Sequence, residues 1–89
     1  MDKIDVAIIE ILKEAIKRYM REIEYVNREK LSEIPISVSL RVGDFEKLGF
    51  SRYTIYRAFK RLSELGILKK DGKKYLFTKD EAKKFGLPA

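Results

Sequence analysis

The chain has no cysteine and no histidine among its 89 residues. Disulfides, thiolate nucleophiles, thiolate or imidazole metal ligands, Ser-His-Asp triads and histidine acid–base chemistry are therefore excluded together. Also missing is any run of the roughly 18 to 20 apolar residues that a membrane-spanning helix needs. The opening residues Met1, Asp2, Lys3, Ile4 and Asp5 show no basic segment leading into an apolar signal core. A cytoplasmic location without a membrane partner is the resulting expectation, and the lack of cysteine is compatible with a reducing compartment. Nor do the carboxylates form a recognisable metal-binding arrangement. Asp44 and Glu46 read as surface charges, whereas a nuclease would need a convergent cluster. The expectation is no metal, no cofactor and no enzymatic activity.

What is present is a highly charged but foldable composition. Hydrophobic residues make up 45% of the chain and charged ones 38%, which supports a folded domain over a disordered tail. A chain of this size removes roughly 60 to 65% of its unfolded surface from water, so one modest core is expected across residues 1–89, with little room for an enclosed substrate cavity. Twenty Lys and Arg against fourteen Asp and Glu give a net charge of +6. Residues 1–30 hold seven basic and seven acidic side chains, residues 31–50 two and three, and residues 51–89 eleven and four. The last stretch thus carries more than the whole excess. Such asymmetry either solvates a surface or attracts a polyanion.

From Ile4 to Val26, apolar residues recur at steps of three and four: Ile4, Ala7, Ile8, Ile11, Leu12, Ala15, Ile16, Tyr19, Met20, Ile23 and Val26. Uninterrupted by glycine or proline, they predict a long amphipathic helix. Val6 and Ile9 widen its apolar face beyond what a small domain covers. Ile4, Ile8, Ile11, Ala15, Tyr19 and Ile23 are accordingly candidate contacts in a homodimer, the alternative being a helix that curves across its own core. A polar connection follows over Asn27 to Glu33, and Pro35 holds the residue before it extended. Ile36, Val38 and Leu40 then alternate with polar neighbours as a short strand with one buried face. Val42, Phe45 and Leu48 return to helical spacing. Because glycine costs roughly 1 kcal/mol inside a helix, this second helix is short or starts at Gly43 or Asp44.

Ser51 is placed to cap a third helix by accepting an orphan N–H, with Phe50 stapled onto Ile55. Its apolar face is Ile55, Ala58, Phe59, Leu62 and Leu65, and Gly66 stops it. Only a few residues separate the second and third helices, as in a helix-turn-helix corner. Ile67 to Phe77 changes period to two extended segments around Asp71-Gly72, a favoured two-residue hairpin loop. That loop would set Lys70 against Lys73, Lys69 against Lys74, Leu68 against Tyr75 and Ile67 against Leu76, gathering four lysines at the tip. Like charges so paired repel unless water screens them or an anion arrives. Thr78 and Glu81 have capping-box spacing before a short last helix ending near Gly86, where Phe85 is expected to anchor packing.

The polar N-terminal half of the third helix offers donors that suit a DNA major groove. Arg52 and Arg57 can pair with guanine O6 and N7, and Tyr53 and Tyr56 can contact bases, sugars or thymine methyls. Ser51, Thr54, Lys60, Arg61, Lys69, Lys70, Lys73 and Lys74 are candidates for backbone phosphates. The stretch Leu40 to Phe77, above all LGFSRYTIYRAFKRLSELGILKKDGKKYLF, resembles the winged helix-turn-helix domain of small bacterial and archaeal transcriptional regulators. That resemblance implies an α+β winged helix-turn-helix with a long N-terminal helix, short strand, two-stranded wing and short C-terminal helix. It also implies Phe45 and Gly49 in the corner, Ser51 to Leu65 as recognition helix, Asp71-Gly72 at the wing tip, and homodimers on operator DNA. The sequence departs from the pattern at Gly43-Asp44, where an apolar helical residue is common. Transcriptional regulation by occupancy of double-stranded DNA is the function expected. The competing expectation is a non-enzymatic adaptor or structural module in a replication or transcription complex, since some winged-helix domains bind proteins instead.

Overall fold

The computed structural model describes residues 1–89. Its first helix, α1, runs from Lys3 to Ile23 and begins where Asp2 accepts a hydrogen bond from the Asp5 N–H at 2.9 Å. Two rows of four-residue spacing carry its burial. Ala7, Ile11, Ala15, Tyr19 and Ile23 are at most 1% exposed, while Ile4, Ile8, Leu12, Ile16 and Met20 are half-buried beside them. Of the dimer-contact candidates, Ile11, Ala15, Tyr19 and Ile23 are thereby corrected. They fill the chain's own core, which is wide enough to cover that row, and only Ile4 and Ile8 keep outward surface. The helix also stops three residues before Val26. The N–H groups of Tyr25 and Val26 turn to the carbonyls of Glu22 and Ile23, and this tightening leads into a 3-10 segment at Arg28–Glu33.

The remaining elements are β1 (Ser37–Leu40), α2 (Gly43–Glu46), α3 (Arg52–Glu64), β2 (Lys69–Asp71), β3 (Lys74–Thr78) and α4 (Lys79–Lys84). The strands form one antiparallel sheet in the order β1-β3-β2, so the two-stranded hairpin expected from sequence is the outer part of a three-stranded sheet. Helices α1 and α3 cover its inner face. Phe59 of α3 stacks on Tyr75 of β3 with ring centroids 4.3 Å apart, Phe45 meets Phe59 edge-on at 5.7 Å, and Tyr19 meets Phe77 edge-on at 5.9 Å.

The hairpin register corrects the sequence expectation. Lys69 opposes Leu76, Lys70 opposes Tyr75 and Asp71 opposes Lys74, leaving Gly72 and Lys73 as the loop. An Asp71-Gly72 loop of the type I′ class would put positive φ on Asp71, whereas here only Gly72, at φ 63°, takes it. The shift removes both lysine-against-lysine pairs and substitutes an Asp71–Lys74 pair of opposite charge. It keeps Leu68, Tyr75 and Phe77 buried.

Two further expectations fail locally. Leu65 is 64% exposed, because the chain reverses at Gly66 and the N–H groups of Ile67 and Leu68 bond back to the Leu62 carbonyl, which puts Leu68 in the core instead. The Thr78–Glu81 capping box is absent. Thr78 ends β3 opposite Ser37, its hydroxyl is buried without a partner, and the Glu81 carboxylate accepts from Lys84 at 2.9 Å.

The Tyr19 hydroxyl donates to the Pro88 carbonyl at 2.6 Å, holding the C-terminal segment against α1. Burial raises the Tyr19 pKa above the ordinary tyrosine value, and burial does the same at Tyr75. A group whose folded pKa is raised contributes fully below the unfolded value near ~10 and loses that contribution as pH rises through the folded value. Tyr19→Phe is therefore expected to cost about 1 kcal/mol near neutral pH through the lost hydrogen bond. It should also flatten the decline in stability above about pH 10. Denaturant unfolding at neutral and alkaline pH checks both, and an alkaline decline as steep as the parent's would show that Tyr19 plays no part in it.

Candidate nucleic-acid interface

Along α3, exposed and buried residues come in successive pairs. Arg52 and Tyr53, Tyr56 and Arg57, and Lys60 and Arg61 face solvent, while Thr54 and Ile55, Ala58 and Phe59, and Leu62 face inward. Two adjacent rows of four-residue spacing on each side of a helix give this alternation. The inner rows must pack on α1 and the sheet, so the outer rows are fixed in direction. They carry four cations and two tyrosines, and no acid occurs on α3 before Glu64.

Ser51 starts the helix from an extended conformation. Its hydroxyl oxygen accepts from the Thr54 N–H at 3.1 Å and donates to the Thr54 hydroxyl at 3.0 Å. Thr54 is consequently corrected as a phosphate candidate. It is only 8% exposed and its side chain is engaged with the cap, on the inner side of the helix and away from the outer rows.

On the outer face the arginines and tyrosines interlock at four-residue spacing. Arg57 Nη1 donates to the Tyr53 hydroxyl at 2.8 Å, with the guanidinium 5.6 Å from the ring centroid. Arg52 lies 5.8 Å from the Tyr56 ring and donates from Nη2 to the Tyr56 hydroxyl at 3.4 Å, while its Nη1 bonds to Glu46 of α2. The Tyr56 hydroxyl and, after it, the Glu46 charge hold the Arg52 pKa above the usual arginine value. The two arginines are thus differently committed: one bridges α2 to α3, the other keeps most of its five N–H donors free.

The hairpin lysines divide as well. Lys70 and Lys73 line an open groove of about 470 Å³ between the hairpin and the start of α3, together with Arg41, Arg52, Tyr56 and Tyr75. Lys69 and Lys74 lie outside it, on the opposite face of the hairpin, with Lys74 3.9 Å from Asp71. Lys60 and Arg61 sit further along α3, and Lys60 reaches a second shallow groove beside Lys70.

Sequence reasoning missed Arg41. It reads there as one more polar residue after a strand, and the only local signal is its position just past the buried Leu40. Leu40 and Lys70 both pair with Tyr75, from opposite sides of β3. That shared partner, set by strand order, brings Arg41 to the hairpin. Known protein families, curated proteins and solved structures offer no match to the chain.

Because the Ser51 cap fixes where α3 begins, Ser51→Ala is expected to cost about 1 kcal/mol of stability. Chemical denaturation of parent and variant measures it, and unchanged stability would mean that the cap contributes nothing to α3.

Proposed function

We propose that the chain is a double-stranded DNA-binding protein of the winged helix-turn-helix kind that regulates transcription by occupying its site, without chemistry of its own. The outer face of α3 carries this reading: four cations and two tyrosines, held in two rows whose direction the core fixes. A B-form major groove, about 12 Å wide, admits such a helix. Arg57 is the base reader in this arrangement, since Tyr53 takes only one of its donors. Arg52, tied to Glu46, reads no base unless that bond is given up. Lys60, Arg61 and the hairpin lysines supply phosphate contacts, which set affinity and orientation but not sequence.

Arg57→Ala is expected to cost about 1 to 3 kcal/mol on the preferred duplex and to relax preference at one base position. Lys60→Ala should instead weaken preferred and scrambled duplexes alike, lowering the slope of log affinity against log salt by up to about one. Site selection from randomised duplexes followed by a salt series tests both. A parent that binds no duplex at low salt ends this reading, and a protein adaptor takes its place.

A second copy of the chain is the partner we assign to α1. The half-buried row Ile4, Ile8, Leu12, Ile16 and Met20 is self-complementary when set antiparallel, with Leu12 on the two-fold axis, Ile8 over Ile16 and Ile4 over Met20. The exposed row beside it is Asp5, Ile9, Lys13, Lys17 and Arg21. In the same pairing Asp5 falls between Lys17 and Arg21 of the second copy, so the charges agree with the apolar register. The contact row lies about 90° round α1 from the row that faces the core. A two-fold through Leu12 therefore places both α3 outer faces on one side, as two half-sites require. Sedimentation equilibrium is expected to show a concentration-dependent dimer, weakened at least tenfold by Leu12→Gln. A strictly monomeric mass, free and on DNA, would remove the second copy.

A further inference from the structure

The groove between the hairpin and α3 contains charge that the protein itself does not balance. None of the ion pairs of the chain includes Arg41, Lys70 or Lys73. Asp44 accepts from the Arg41 backbone N–H at 2.9 Å but directs the same oxygen to Arg18 at 3.1 Å, and the Arg41 guanidinium has no protein partner. A fourth cation, Arg52, completes the lining, and its one carboxylate partner is Glu46. These groups are not free to disperse. Arg41 follows the last residue of β1, Lys70 is locked opposite Tyr75, and Gly72 carries the chain back so that Lys73 overhangs the groove. Cations converging on one concave surface repel each other until an anion joins them.

We propose that this groove is a phosphate seat, filled by a DNA backbone segment or by a free phosphorylated small molecule. Only the first of these sources rests on the DNA-binding reading. A planar guanidinium offers two parallel donors to phosphate oxygens, and the lysines act as point charges beside it. Arg41, whose guanidinium is free, thus grips while Lys70 and Lys73 neutralise. Tyr56, 48% exposed, gives the groove an aromatic wall on which a sugar or base can rest. A volume of about 470 Å³ falls within the range of small-ligand sites. A nucleoside triphosphate is the free form that matches both the charge and the aromatic wall. Because one set of cations serves both sources, occupancy by the free anion lowers affinity for DNA, and the groove becomes the place where a small phosphorylated molecule controls binding.

The test uses the full chain, adenosine triphosphate as the free probe, and duplex DNA followed by fluorescence anisotropy, with Arg41→Ala and Lys70→Ala against Lys83→Ala. Lys83 is exposed on α4, away from the groove, and its replacement removes the same charge. Each groove variant is expected to weaken duplex binding about tenfold, as loss of one charge-assisted contact does. The salt slope should fall by up to about one, and Lys83→Ala should stay within about twofold of the parent. Triphosphate is expected to bind the parent, to compete with duplex, and to bind Arg41→Ala and Lys70→Ala at least tenfold more weakly. Duplex sensitivity without triphosphate binding assigns the seat to DNA alone and supports it. Triphosphate binding that depends on the groove cations, in a parent that binds no duplex, keeps the seat and sinks the DNA reading. If duplex and triphosphate binding are the same in Arg41→Ala, Lys70→Ala and Lys83→Ala, or if the parent binds neither ligand, the seat is refuted.

Discussion

The stack of Phe59 on Tyr75 is the contact on which the arrangement of the candidate interface depends. Phe59 belongs to an inner row of α3, so its burial fixes the rotation of that helix and with it the direction of Arg52, Tyr53, Tyr56 and Arg57. Tyr75 belongs to the central strand and pairs on one side with Leu40 and on the other with Lys70. A single ring-on-ring contact at 4.3 Å therefore relates the outer face of α3 to both walls of the groove beside it. Phe45 packs edge-on against the same Phe59, which seats α2 and places Glu46 where it meets Arg52. An aromatic pair adds only about 0.5 to 1.5 kcal/mol beyond the area it buries. Its importance here is geometric, because helix rotation and strand position are set at one point.

Not every cation counted in the net charge is free to meet a polyanion. Lys79 donates to the carbonyls of Leu31 and Ile34 and so ties the 3-10 segment to the start of α4. Arg18 donates to the Ser39 carbonyl at 2.8 Å and to Asp44 at 3.1 Å, joining α1 to β1 and α2. Lys84 is paired with Glu81. On the outer rows of α3 and in the groove, by contrast, Arg57, Lys60, Arg61, Arg41, Lys70 and Lys73 take part in no ion pair. Concentration of this kind, more than the total of +6, is what raises the local potential at a surface. The same accounting separates Arg52 from Arg57, two residues that composition treats as equal.

Periodicity made most of the elements legible. The steps of three and four in α1, the alternation in Ile36, Val38 and Leu40, the Ser51 cap and the Gly66 stop are local features, each set by backbone geometry over a few residues. They placed α1, β1, α2, α3 and the hairpin within a few residues of where they lie. Errors arose where a local rule met a tertiary demand. Thr78 has the right spacing for a cap, but the end of β3 claims its backbone and buries its hydroxyl. Leu65 continues the apolar stripe, yet the reversal at Gly66 delivers Leu68 to the core in its place.

The sequence by itself determined an α+β chain with a long amphipathic first helix, a capped third helix with a basic outer face, and a glycine hairpin, because each of these follows from short-range periodicity and turn chemistry. Tertiary structure alone decided which row of α1 is internal, since burial there depends on how wide a core α3 and the sheet provide. It also decided the hairpin register, where confining positive φ to Gly72 and seating Tyr75 between Leu40 and Lys70 outweighed the simpler Asp71-Gly72 loop. The groove is the clearest case. Arg41, Arg52 and the Lys70–Lys73 hairpin are far apart in the chain, and the strand order β1-β3-β2 together with the packing of α3 on the sheet brings them to one place.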